Sequence, residues 1–220
     1  MAEALIAWGG WDGHEPEACA GIVAGWLREE GFSVRIAEGT APFAEPGLGA
    51  MDLVVPMITM SRIAPEEIAG LALAVEAGTG LAGFHGQMGD SFRDCVEYQV
   101  MVGGQFVAHP GNIIDYRVEI ERPDHPITRG MSAFPYRSEQ YYMHVDPSNE
   151  VLATTRFTGE HASWAEGVVM PVAWTRRHGE GRVFYTSLGH VSAELEHPRA
   201  AELLRRGLVW AARGTGALRP

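Results

Sequence analysis

Nine histidines carry most of the chemistry legible in this sequence, and three of them follow apolar runs that read as β-strands. His14 lies in the glycine-rich stretch GGWDGHE, His85 closes GLAGFH, and His190 closes SLGH. In an open parallel sheet, ligands bind outside the carboxyl ends of the strands. The three imidazoles are therefore expected on one rim, although they come from remote parts of the chain. His109 in GGQFVAHPG and Glu139, just before QYYMHVD, are placed to join them; His144 could point to either face of its strand. Imidazoles gathered around a carboxylate suit a divalent ion of the zinc type. Without metal, one neutral ring can act as base and one protonated ring as acid. The expected catalytic groups are His85, His190 and Glu139, and the expected metal ligands are His14, His85, His109 and His190. His125 in PDHPITRG reads as a structural turn residue and His161 as solvated. His178 falls in a hairpin turn and His197 at a helix start.

The stretch LAGFHGQMGDSF reads as a buried strand breaking into a sharp turn with His85 at its tip. In many α/β enzymes such an elbow presents the nucleophile. Gly83 and Gly86 are the small neighbours that let the backbone fold back. The N–H groups of Gly86, Gln87 and Met88 are placed to face a developing oxyanion. The Gln87 amide can serve a hydroxylated ligand or brace the loop, and Asp90 reads as the N-cap of a helix over residues 91–103.

The elements that must position these groups follow from patterning. Strands are expected over 3–8, 32–38, 52–58 and 80–85, with helices over 15–31 and 64–78. Pro16 and Pro65 suit first turns, and Gly31 suits a C-terminal cap. Ala18, Ile22, Trp26 and Leu27 are the expected buried stripe of the first helix, and Val34 and Ile36 the inward residues of the second strand. Strand alternating with helix in this way signals a mostly parallel, doubly wound sheet. Further on, 103–112 reads as a loop, and 116–121, 140–146 and 151–157 as strands. Residues 169–187 read as a hairpin turning at His178–Gly181. A helix over 197–213, with Leu204, Leu208 and Ala211 on one face, precedes a frayed tail.

The 220 residues fit one domain, 1–220. A formal charge of −11, with every basic residue an arginine, argues against a nucleic-acid partner and suggests a GC-rich bacterial genome. No run approaches a membrane span and no secretory leader is visible, so the expected location is the cytoplasm. Cys19 and Cys95 read as reduced thiols. P-loop, GxGxxG and paired CxxC patterns are absent, so no nucleotide cofactor is expected.

Five segments, GFHGQMGDSF, GGQFVAHPG, DHPITRG, EQYYMHVDPSNEVLATT and PVAWTRRHGEGRVFYTSLGH, resemble the ThuA-like family of trehalose-utilisation proteins, in that family's order and across nearly the whole chain. The resemblance implies a flavodoxin-like, three-layer α/β/α sandwich similar to the class I glutamine amidotransferases, with a mostly parallel central sheet and extra C-terminal strands. It implies carbohydrate metabolism: trehalose or a related disaccharide, in 3-keto form after a sugar oxidoreductase partner has acted. The amidotransferase cysteine would stand at His85, and its partner histidine near His190. Without that thiol no glutaminase can operate, because imidazole is not a durable acyl acceptor. The site is then converted to acid–base or metal chemistry, a hydrolase or lyase in which Glu139 is the carboxylate partner. Trp11, Tyr141 and Tyr142 are the candidates for stacking on sugar. The alternative is a non-catalytic sugar-binding or accessory subunit; a hydrolase using Cys95 is a weaker one. Homo-oligomerisation is open for such folds.

Overall fold

The computed structural model describes residues 1–214. Nine strands form one sheet, in the order β2-β1-β3-β4-β11-β10-β9-β6-β7. Its first half is parallel: β1 (Ala2–Gly10), β2 (Phe32–Glu38), β3 (Leu53–Thr59), β4 (Gly80–Phe84) and β11 (Gly181–Thr186). β10 (Val169–His178), β9 (Glu150–Arg156), β6 (Ile113–Ile120) and β7 (Phe134–Glu139) extend it antiparallel. The strand order changes direction at β1 and β3, the kind of switch point where α/β sheets open a crevice.

Strand periodicity of two explains the core on each face. Ala4 and Ile6 of β1 face one way, onto Val23 and Leu27 of α1 (Pro16–Glu29) and Leu204 and Leu208 of α5 (Pro198–Ala211). Leu5 and Ala7 face the other way, with Leu71 and Val75 of α2 (Pro65–Glu76) and with Tyr98 and Met101. All seven residues of β3 are buried, as expected for a parallel strand covered on both faces. Pro56 is tolerated in that central strand because β3 and β4 pair only at Leu53–Gly80 and Val54–Leu81, so the ladder has ended before its missing N–H would matter. The gap beyond is occupied by a short helix, α3 (His85–Gly89), and Met60 N–H donates across it to the Asp90 carbonyl.

Several expectations need correcting. The stretch read as a loop over 103–112 contains β5 (Gly104–Ala108), paired with β8 (Tyr142–Val145) in a separate ribbon. β7 was not anticipated, because Pro135 and the polar Arg137 and Ser138 interrupt its apolar run. Helix α4 spans only Val96–Val102. Asp90 is therefore not its N-cap but closes α3, its carboxylate held by Arg93. Ala18 is exposed; the buried stripe of α1 runs through Cys19, Ala20, Val23, Ala24 and Leu27. Ile36 is 40% exposed, since β2 is an edge strand. The expected tail lies, beyond Gly214, outside the described residues. No helix among the described residues is long and apolar enough to cross a membrane.

Candidate metal centre

The site is assembled from strand ends. β1 runs out at Gly10, and a single 3-10 turn, Asp12–His14, brings His14 back over the sheet. His14 is buried, and its Nδ1 lies 2.8 Å from Thr59 Oγ1 at the end of β3. That engagement leaves Nε2 as its free nitrogen. His85 follows β4 directly at φ +46°, in the left-handed region that a β-carbon disfavours. The expected elbow is thus a real backbone feature, with an imidazole at its tip. Gly86 is required beside it: a Cβ there would lie 2.9 Å from the Tyr141 hydroxyl and closer still to the His14 ring.

His85 Nδ1 lies 2.9 Å from the Ser187 carbonyl oxygen. A carbonyl only accepts, so Nδ1 carries the proton, and in the neutral ring Nε2 presents its lone pair. Three groups meet that nitrogen: Tyr141 Oη at 2.8 Å, Glu139 Oε2 at 3.2 Å and His190 Nδ1 at 3.2 Å. His190 Nδ1 is 3.5 Å from the same Glu139 oxygen. One donor atom from each of His14, His85, Glu139 and His190 falls within a set whose members all lie within 4.8 Å of one another. A tetrahedral zinc shell with bonds of about 2.0–2.1 Å spaces its ligand atoms about 3.3 Å apart. The separations among His85, Glu139 and His190 match one face of such a shell.

The electrostatics favour donors over acids. Burial, followed by repulsion from His85 and His190, holds the His14 imidazole down to about pKa 3. His190 is lowered for the same reasons, burial first and His85 second. Burial alone would raise Glu139, but its hydrogen bond to His85 and the fields of His85, His190 and His109 outweigh that and bring it down to about 2. Near neutrality the set therefore holds neutral His14 and His190 with an ionised carboxylate. Burial holds the Tyr141 phenol well above its usual range, so it stays protonated.

The remaining candidates fall around this set. His109 sits behind Glu139, its Nε2 3.7 Å from Oε1, the oxygen not facing His85. It reaches the cluster through the carboxylate rather than as one of the four donors. Gln87 is fully buried and its amide donates to the His14 carbonyl, so it braces the loop. Trp11 is 48% exposed and meets the His14 ring edge-on at 4.8 Å. Tyr142 turns away, packing against Phe157 and Trp164. His144 is exposed on β8, and Cys95 is not among the grouped donors. His125 is a buried turn residue accepting the Ile127 N–H. Thr59, Ser187 and Glu194 were not singled out from sequence. Thr59 ends β3 and Ser187 directly follows β11, so the rule that found the histidines reaches them too; Glu194 follows His190 by four residues.

Residues 3–211 match the sequence model of ThuA, described as trehalose utilisation. The chain belongs to the ThuA family. Among solved structures, this ThuA chain is similar to a ThuA-like protein from Parabacteroides merdae, at 20% identity and TM-score 0.81, covering 100% of this chain and 92% of that one. A ThuA-like protein from Bacteroides uniformis is similar at 19% identity and TM-score 0.78, covering 96% and 91%. A β-galactosidase from Rahnella sp. R3 shares the fold more distantly, at 19% identity and TM-score 0.56 over 85% of this chain and 28% of that one. No curated protein matches the sequence.

Proposed function

We propose that this ThuA-family chain is a metal-dependent hydrolase or lyase of carbohydrate utilisation, acting on trehalose or a related disaccharide in 3-keto form. The helices on both faces of the sheet support reading it as the three-layer sandwich of the amidotransferase-like class, located in the bacterial cytoplasm. One observation carries the proposal. The His85 Nε2 lone pair and a carboxylate oxygen face each other at 3.2 Å, with His190 Nδ1 equally close to that nitrogen. With Nε2 unprotonated, a cation between that nitrogen and the carboxylate stabilises both, and the three separations of 3.2, 3.2 and 3.5 Å match the ligand spacing of a tetrahedral divalent ion.

Such an ion, when bound, polarises a substrate oxygen or acidifies a water. The protein's own groups divide the rest. His85, His190 and Glu139 hold the set, with His14 as fourth donor. Tyr141 O–H has Nε2 as its acceptor; once that lone pair is engaged, the phenol is free to donate to a substrate oxygen. Glu139 Oε1, turned toward His109, is the base for a C–H beside a ketone or for a water. Trp11 offers an exposed ring for the sugar face. A sugar oxidoreductase supplies the ketone.

The test is metal analysis of tag-free protein purified without chelator, with turnover of 3-keto-disaccharides measured before and after stripping and reloading. Near-stoichiometric metal and metal-dependent product support the reading. Saturable sugar binding with no product under any metal condition would replace it by an accessory binding subunit.

A further inference from the structure

The sheet order poses a problem that the metal donors do not solve. Glu139 ends β7, four places along the sheet from β11, whose exit loop carries His190. β6 and β7 share six residue pairs, but β6 joins β9 through only two, Glu119–Thr154 and Ile120–Ala153. The β6–β7 ribbon thus hangs from a short junction, and its last residue must still reach His85 and His190 to within about 3.5 Å, the reach set by metal-ligand bonds.

Glu194 lies where the ribbon and the loop meet. It sits in the 3-10 turn Ser192–Glu196. Its Oε2 accepts the Tyr136 hydroxyl at 2.9 Å and the Ser138 hydroxyl at 2.8 Å, both from β7, and the His190 N–H at 2.9 Å. The Tyr136 oxygen in turn accepts the Gly189 N–H at 3.2 Å. Tyr136 and Ser138 are buried, so their donors have no water to fall back on. Hydrogen bonds to a carboxylate are about twice as strong as neutral ones. One oxygen therefore gathers two side chains of the strand carrying Glu139 and the backbone of the residue that is itself a donor.

We propose that Glu194 is a positioning residue that sets the separation of Glu139 and His190 by clamping the β6–β7 ribbon to the loop after β11. It touches neither ion nor substrate. The affinity part of the test rests on the metal reading above; the exchange part does not.

The experiment compares wild type with Glu194→Ala and Glu194→Gln by Co²⁺ titration, read from visible absorbance, and by amide hydrogen exchange of the metal-free protein. Glu194→Ala is expected to weaken Co²⁺ binding roughly 10–100-fold, the usual effect of losing an outer-shell partner. Glu194→Gln, which keeps an acceptor oxygen, is expected to recover most of that loss. Exchange should quicken together at 134–139 and 187–191 in the alanine variant. If Glu194→Ala fails to fold, Tyr136→Phe and Ser138→Ala each remove one donor and should weaken binding by smaller steps. Wild-type affinity and unchanged exchange in these variants would overturn the assignment. If wild type takes up no Co²⁺, the metal reading fails by itself, and coupled or unchanged exchange still decides Glu194.

Discussion

His85 and Glu139 meet at 3.2 Å although one leaves the parallel centre of the sheet and the other ends its outermost antiparallel strand. Neither half of the sheet holds the centre alone. The parallel half brings His14, His85 and His190 to one rim, and the antiparallel extension curls back to add the carboxylate.

Removing a donor should empty the centre without unfolding the chain. His85→Ala and Glu139→Gln are expected to lose bound metal and to lower turnover at least about 100-fold. His144→Ala, at an exposed position on β8, should match wild type in both. Elemental analysis and steady-state rates on the three variants check this; retained metal in His85→Ala would refute the assignment.

Gly86 tests the packing around the centre. An added methyl would collide with the His14 ring and the Tyr141 hydroxyl. Gly86→Ala should cost about 1–3 kcal/mol of stability, as overpacking does. Its metal affinity should fall more than that stability loss alone would suggest, because His14 must leave its place. Urea unfolding and a competition titration with a chromophoric chelator measure the two effects.

The metal-free protein should be acid-labile in a defined window. His14 titrates at 6.5 unfolded and about 3 folded. Between those values the unfolded chain binds more protons, so stability is full above 6.5 and declines as the pH falls toward 3. Glu139, at 4.5 unfolded and about 2 folded, adds a loss in the same direction between those values. Each group contributes up to about 1.4 kcal/mol per pH unit within its window. Urea midpoints taken in chelator from pH 7 to 4 should fall, and His14→Asn should flatten the upper part of the curve. Parallel curves for the two proteins would contradict the linkage.

Trp11→Ala tests whether sugar binding can be separated from chemistry under the proposed function. The Trp11 ring is half exposed beside His14 and bears no donor of the centre. Trp11→Ala should raise KM several-fold, matching a stacking loss of about 1 kcal/mol, with kcat nearly unchanged. A fall in kcat at constant KM would give Trp11 a different part.

Periodicity makes the rim histidines legible in the sequence. His85 and His190 close the runs GLAGFH and SLGH, His14 lies in the loop leaving the first strand, and strand ends in a parallel sheet share one edge by construction. Glu139 could be nominated from its neighbours but not placed, since Phe134–Glu139 alternates too weakly to announce a strand. The β5 strand hides behind Gly103, which caps α4, and Gly104, which reads as a loop residue although it pairs with Val145 of β8. Gln87 and Tyr142 show a further limit. Gln87 is spent on the His14 carbonyl and Tyr142 on Trp164, and such side-chain directions follow from tertiary contacts that local sequence does not encode. Glu194 is hidden for the same reason: two of its three donors, Tyr136 and Ser138 of β7, lie more than fifty positions earlier in the chain, and only the His190 N–H is local.

The left-handed backbone at His85 has a meaning for engineering. The Ser187 carbonyl grips the imidazole, but the Tyr185 hydroxyl holds the His85 carbonyl and the glycines clear the space around it, so the bend belongs to the frame rather than to the ring. A different side chain installed at that tip would inherit the same outlook over the crevice. The scaffold is in this sense a socket, whose tip residue can be exchanged without redrawing the bend that holds it.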